Sequence, residues 1–294
     1  MECGDVVSVA LAKPLDPCES PAPFSLLVPV YRGDSAHRVR RAIDSNTHEQ
    51  TRPPAQVVIV RDGPVPQEIT DELDRISAAS AVPVVRVELE HNAGLTNALN
   101  TGLLWCSHDV VARADADDIS YPDRFERQLP LIEAGADLVG ASMHEIGDDE
   151  TTPLALRQAP VGRSEIARVA KRRNPISHPS VVFRRSAVEA VGGYEHVPMA
   201  EDYWLWARML HAGADVRNVS EPLVGYRVSA GSYERRGGPR VFLAEMALQW
   251  KLRRLGYVGF IQWATNVIVR GGYRFVPLKA RETAYRFMVG HRNS

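Results

Sequence analysis

The chain has 294 residues, 45% of them hydrophobic and 24% charged, which is enough for one large α/β domain with an appendage. A formal net charge of -1 excludes the bulk electrostatics of a nucleic-acid binder, so no nucleic-acid partner is expected. The three cysteines, Cys3, Cys18 and Cys106, are too few and too far apart for a disulfide framework or a zinc site, and they point to a reducing cytoplasm.

Residues 1–23 have neither the basic start nor the apolar run of a signal peptide and are expected to form a lead-in. No stretch reaches the roughly 18 apolar residues that a membrane-spanning helix needs. From Phe24 the chain alternates. Phe24–Tyr31 is a short apolar run that predicts a buried strand, and Val39–Ser45 predicts a helix. Gln56–Val60 is a second buried strand, ended by the turn signal Arg61-Asp62-Gly63-Pro64, and a helix follows over Thr70–Ala79. Val84–Leu89 is a third strand, and Leu95–Leu104 is a helix entered through Asn92-Ala93-Gly94. Asp109–Arg113 is a fourth strand that runs into Ala114-Asp-Ala-Asp-Asp118. This spacing predicts right-handed βαβ units and a Rossmann-like α/β fold, its central sheet mostly parallel and flanked by helices. Ligands of such sheets lie beyond the carboxyl ends of the strands, here Pro29 to Arg32, Asp62, Asn92 and Asp115 to Asp118.

The second half is less regular. Helices are expected over Arg124–Ala134, Ser164–Lys171 (capped by Ser164) and Glu201–His211, and strands over Leu138–Ser142 and Pro179–Phe183.

The Asp115-Ala-Asp117-Asp118 run carries the strongest chemical signal. Three carboxylates within four residues repel one another unless a cation sits among them. Mg²⁺ or Mn²⁺ takes oxygen ligands and shares them with a diphosphate. The competing reading is a solvated acidic turn before a helix, with Asp118 or Ser120 as cap; the buried strand that precedes the run favours the cation.

Val28-Pro-Val-Tyr31, Val58-Ile-Val-Arg-Asp-Gly63, Asn92-x-Gly-Leu-x-x-Ala-Leu-Asn100 and Ala114-Asp-Ala-Asp-Asp118 together resemble a family 2 glycosyltransferase of the GT-A fold. The likeness continues through Arg124-Phe-Glu-x-Gln128, His178-Pro-Ser-Val-Val-Phe-Arg184, Gly192-Gly-Tyr194, Glu201-Asp-Tyr-Trp-Leu-Trp206 and Tyr226-Arg227, covering residues 24–236. The subgroup it is most similar to assembles bacterial surface or exopolysaccharide repeat units. The resemblance implies an inverting, metal-dependent enzyme that moves a sugar from a nucleotide-sugar donor, UDP-linked by family habit, to a glycan or lipid-linked glycan acceptor. It implies that Pro29 and Tyr31 line the base and ribose pocket, and that Asp62 accepts a hydrogen bond from the base; simple turn formation with Gly63 is the alternative for Asp62. It places Asn92 and Asn97 over the nucleotide or donor sugar, although Asn97 could equally face solvent. Asp115 would contact ribose or the metal, and Asp117 would coordinate the metal directly. Asp202, at a helix start whose dipole favours the ionised carboxylate, would be the general base; the alternative is that Glu201 and Asp202 only stabilise that helix.

Two positions stay open. His178 is either a ligand to metal or phosphate or a structural hydrogen-bonding residue. Relatives place a His shortly after Tyr-Arg, but Tyr226-Arg-Val-Ser-Ala-Gly-Ser232 contains none, so the third protein ligand is undefined and Arg227, Arg235 or Arg236 is left to hold the leaving diphosphate.

Residues 237–294 change character. From residue 240 onward ten Lys or Arg stand against two acids, Glu245 and Glu282, with Trp250, Tyr257, Phe260, Trp263 and Phe275 interleaved. A basic, aromatic-rich helical extension of this kind suits peripheral contact with the anionic inner face of a cell membrane. Packing back on the catalytic domain, or a homodimer contact, is the alternative. Other functions fit less well. A sugar-1-phosphate nucleotidyltransferase wants a Gly-rich basic loop after the first strand, and a dinucleotide oxidoreductase wants G-x-G-x-x-G there; neither is present. A non-catalytic carbohydrate-binding or assembly protein on the same fold would not need Asp115, Asp117 and Asp202.

Overall fold

The computed structural model describes residues 22–228 and 239–271. The N-terminal half follows the expected alternation. β1 (Ser25–Tyr31), α1 (Ala36–Asn46), β2 (Gln56–Asp62), α2 (Gln67–Ala79), β3 (Val84–Glu88), α3 (Leu95–Trp105) and β4 (Val110–Arg113) succeed one another, and β3, β2, β1 and β4 lie side by side in parallel. These strands read as unbroken apolar runs because both of their faces are covered. Successive side chains alternate between the faces. Leu26, Val28, Val30, Val57 and Ile59 pack with α1, α2 and later Phe125, Leu129 and Ile132. Leu27, Val58 and Val60 pack on the opposite face with Ala98, Leu99 and Leu103 of α3.

Beyond β4 the sheet turns mixed. The chain continues through β5 (Ile119–Ser120), α4 (Arg124–Glu133), β6 (Leu138–Ile146), β7 (Ala155–Arg157), α5 (Arg163–Ala170), β8 (Val182–Arg184), α6 (Arg185–Ala190), α7 (Glu201–His211) and β9 (Val216–Arg227). The strand order is β3-β2-β1-β4-β8-β6-β9-β5, with β7 on β6; β8 runs antiparallel to both β4 and β6, and β9 parallel to β6. Two expectations are corrected. Residues 178–180 form a 3-10 turn with Pro at its start, so the strand begins at Val182; Pro fixes φ and has no N–H to give to a ladder. The helix expected to be capped by Ser164 starts at Arg163 after Gly162 and has no side-chain cap.

Helix α7 is buried from Tyr203 to Met209 because it is covered on both sides. Leu205, Trp206 and Met209 join the core under the sheet. Tyr203, Trp204 and Ala207 meet Leu248, Leu252 and Val258 of α8 (Pro239–Arg254) and the turn after it. The basic segment therefore divides. One face of α8 is ordinary core against the catalytic domain. The other leaves Leu243, Trp250 and, on α9 (Phe260–Asn266), Phe260 and Ile261 exposed, together with Ile268 and Val269 beyond it. Arg274, Phe275, Lys279, Arg281, Glu282, Arg286 and Arg292 lie outside the described residues, as do Cys3, Cys18, Arg235 and Arg236. Among the described residues no helix is long and apolar enough to cross a membrane.

Candidate functional site

The carboxyl ends of β1, β2 and β4 open on one edge of the sheet. At the end of β1, Pro29 is half-buried and Tyr31 is 49% exposed, its ring lying over the backbone of Gly33, where any Cβ would fall within 2.6 Å of the ring. A bare glycine beneath an exposed aromatic leaves a flat platform. Asp62, at the end of β2, is buried, and both its oxygens organise the turn before α3: Oδ1 accepts from the Ala93 N–H at 2.7 Å and Oδ2 from the Gly94 N–H at 3.0 Å. The Asn92 amide closes the same turn onto the Asp62 carbonyl at 3.2 Å. Gly63 has φ +79°, and a Cβ there would sit 2.4 Å from the Asn92 nitrogen, so this approach admits only glycine. Asn97 is exposed on the first turn of α3.

The acidic loop follows β4. Arg113, at the end of the strand and 1% exposed, grips Asp115 with both terminal nitrogens, Nη1 to Oδ2 at 2.7 Å and Nη2 to Oδ1. Residues two apart on an extended chain share a face, which is how the pair arises locally. Asp117 is half-buried; burial, and then the charge of Asp115, push its carboxyl upward. Asp118 is buried. Its Oδ1 accepts from the Arg227 N–H at 2.8 Å, while its Oδ2 is buried without a hydrogen-bond partner. Burial and the charges of Asp115 and Asp117 hold its carboxyl well above the usual range.

A fourth carboxylate joins them. Asp34, on the loop after β1, accepts from the Tyr31 N–H at 2.8 Å. Burial raises it to about 7, and Asp117 and Asp115 add to the shift. Sequence reasoning stopped at Arg32; a carboxylate just beyond a strand end was the available signal. Among the described residues no group of three or more His, Cys, Asp or Glu side chains is placed so that it could hold a metal ion. Crowding and burial raise the Asp34, Asp117 and Asp118 carboxyls together, the electrostatic condition that a nearby cation relieves.

Arg227 is drawn into the base of this loop. Its Nε donates to the Asp117 carbonyl at 3.1 Å, Nη1 to the Gly147 carbonyl at 2.7 Å and Nη2 to Glu150 at 2.7 Å. Three of its five N–H donors thus go to protein acceptors, tying the end of β9 to the acidic loop.

Asp202 opens α7 and is half-buried. Its Oδ2 accepts from the Asn174 amide at 2.7 Å and its Oδ1 from the Tyr203 N–H at 2.7 Å. Burial and the adjacent Glu201 raise it to about 6, against the lowering effect of these two donors and of Arg113. Asn174 had no signal in the sequence. His178 is buried, its Nε2 3.0 Å from the Tyr194 hydroxyl and its ring edge-on to Trp206 at 5.8 Å. Burial and the Arg113 charge hold its imidazole well below the ordinary range. The charge of Arg113 is felt by Asp117, Asp118, His178, Tyr194 and Asp202 alike. A second buried guanidinium, Arg124, donates to the Arg113 carbonyl at 2.8 Å.

Comparison with known proteins gives a consistent result. Residues 25–192 match the family model described as glycosyl transferase family 2. The amylovoran biosynthesis glycosyltransferase AmsE of Erwinia amylovora is 34% identical over 262 residues, 89% of this chain and 97% of the relative. The UDP-Gal:alpha-D-GlcNAc-diphosphoundecaprenol beta-1,3-galactosyltransferase of Escherichia coli is 32% identical over 268 residues, 90% and 96% of the two chains. Among solved structures, S. aureus TarS 1-349 in complex with UDP-GlcNAc superposes with a TM-score of 0.64 at 15% identity, covering 87% of this chain and 77% of TarS; this likeness is one of fold, the GT-A fold.

Proposed function

Because the chain belongs to glycosyl transferase family 2 and is a glycosyltransferase, we propose that it transfers a sugar with inversion from a UDP-sugar to a lipid-linked glycan during polysaccharide biosynthesis. Relatives of 34% and 32% identity that span nearly the whole chain, one of which works in amylovoran biosynthesis and the other on a diphosphoundecaprenol-linked sugar, support the acceptor class. The observation that carries the mechanism is the acidic loop at the carboxyl end of β4, where Arg113 holds Asp115 in place; the half-buried Asp202 at the start of α7 supplies the carboxylate for the proton.

Tyr31 and Pro29 form the floor on which the base and ribose lie, and the Asp62-braced turn at Asn92 to Gly94 walls the pocket. The Asp62 oxygens each keep a lone pair for the base N–H. Asp117, with Asp115, would hold Mn²⁺ or Mg²⁺ jointly with the donor's diphosphate. Such a cation supplies charge neutralisation to the leaving diphosphate. Asp202 accepts the acceptor hydroxyl's proton as that oxygen bonds the anomeric carbon and the bond to the diphosphate oxygen breaks. A carboxylate near 6 is ionised at neutral pH yet more basic than an ordinary Asp. The exposed apolar side of α8 and α9 supports peripheral contact with the inner face of the membrane, where a lipid-linked acceptor resides.

A donor screen tests the reading. The purified chain with Mn²⁺ should release UDP from a UDP-sugar, slowly to water and faster with a lipid-diphosphate glycan. UDP with Mn²⁺ should also raise its melting temperature through binding linkage, and Asp117→Asn should abolish that gain. No nucleotide release from any donor, with no metal-dependent stabilisation, would leave a non-catalytic carbohydrate-binding protein on the same fold.

A further inference from the structure

Arg113, Arg124, Arg227, Arg41 and Arg38 differ in how their guanidinium groups are engaged around the acidic loop and its neighbours. Arg113 is buried and bidentate on Asp115. Arg124 is buried, with bonds to Gln128, Ser120, Asn46 and the Arg113 and Val181 carbonyls. Arg227 is committed to Asp117, Gly147 and Glu150. Arg41 is shared between Glu49 and Glu150. Arg38 differs: its one described pair is with Asp148 at 3.0 Å, whose side chain is 92% exposed.

The backbone path places Arg38 close to the loop. It lies on the first turn of α1, four residues after Asp34, which sits with Asp115 and Asp117. Its partner Asp148 follows Gly147, and the Gly147 carbonyl shares the Arg227 guanidinium with the Asp117 carbonyl. Helix α1 is bonded to β5 directly after Asp118: the Ser120 N–H donates to the Ser45 Oγ at 3.1 Å and the Ser120 hydroxyl to the Asn46 Oδ1 at 2.7 Å. We infer that Arg38 is the cation that receives the donor's diphosphate, leaving Asp148 when the nucleotide binds. This rests on the donor-site reading above.

The energetics favour the exchange. An ion pair with one partner almost fully in water contributes little. A diphosphate offers a planar guanidinium several charged oxygens at once, in geometry that suits two parallel hydrogen bonds. The other four arginines would have to abandon buried or multiple partners to do the same. Arg227, the cation the sequence pointed to, would have to release the Asp117 and Gly147 carbonyls and Glu150.

Titration calorimetry with UDP and with uridine, both in Mn²⁺, separates phosphate contact from base contact. Arg38→Gln should weaken UDP about tenfold to a hundredfold, the range for one charge-assisted contact, and leave uridine unchanged. Arg38→Lys should recover part of the loss, since it keeps the charge without the fork. Asp148→Asn should bind UDP at least as tightly as the wild type, because Arg38 is then free beforehand. Wild-type UDP affinity in Arg38→Gln overturns the inference, as does an equal loss for UDP and uridine. A wild-type chain that binds neither ligand overturns the donor-site reading itself, and Arg38 with it.

Discussion

The guanidinium of Arg113 holds both oxygens of Asp115, Nη1 to Oδ2 at 2.7 Å, while Asp117, two residues further on, has no salt-bridge partner among the described residues. The two carboxylates of one short motif thus have opposite standing in the fold. Asp115 neutralises a buried cation. Asp117 is crowded by Asp115 and partly withdrawn from water.

Their substitutions should therefore move stability in opposite directions. Asp115→Asn leaves Arg113 buried and unpaired and should cost about 3 kcal/mol. Asp117 is raised from 3.8, so its favourable state is the protonated one, present below its unfolded pKa and lost as pH rises through the folded value. At pH 7 Asp117→Asn removes that burden and should be neutral or stabilising in metal-free protein. Urea melts of both variants without nucleotide or divalent metal make the comparison; equal destabilisation would refute the asymmetry.

The pH profile should report Asp202. Transfer should fall as pH drops through about 6, because protonation removes the base. Asn174→Ala deletes a donor to the ionised form, so the acid limb should move to higher pH. Asp202→Asn should bind UDP nearly normally and lose about 10²–10⁴ in turnover. If UDP affinity collapses instead, Asp202 is a donor ligand and the base lies elsewhere.

Membrane contact should depend on the outer side of α8 and α9. Trp250 and Phe260 are 56% and 65% exposed and both meet Trp263, at 6.4 and 5.6 Å between ring centroids. The chain should float with anionic vesicles at low salt and less at high salt. Trp250→Ser with Phe260→Ser should reduce flotation while the melting temperature and UDP binding hold, since neither ring is core. If the double substitution leaves flotation intact but shifts a concentration-dependent dimer, this face joins two copies of the chain.

The sequence determined what local pattern can encode. Continuous apolar runs identified the parallel strands because both faces of such a sheet are covered, and the loops closing those runs identified Tyr31, Asp62, Asn92 and Asp115 to Asp118 as strand-end residues. The Arg113–Asp115 pair is local too, since Asp115 lies two residues beyond the end of the strand that Arg113 closes. Tertiary structure alone decided the rest. Strand β9 carries Arg217, Asn218, Ser220, Glu221 and Pro222 and has no clean period; its long pairing with β6 stabilises it. Asn174 meets Asp202 across 28 residues, and Arg227 meets Asp117 across 110, so which acid is basic and which arginine is committed follows from chain closure. For the basic extension the sequence leaves packing on the catalytic domain and membrane contact both open; Leu248 and Leu252 are core while Trp250 is exposed. Composition counts apolar residues, but only packing against α7 determines which of them lose their water.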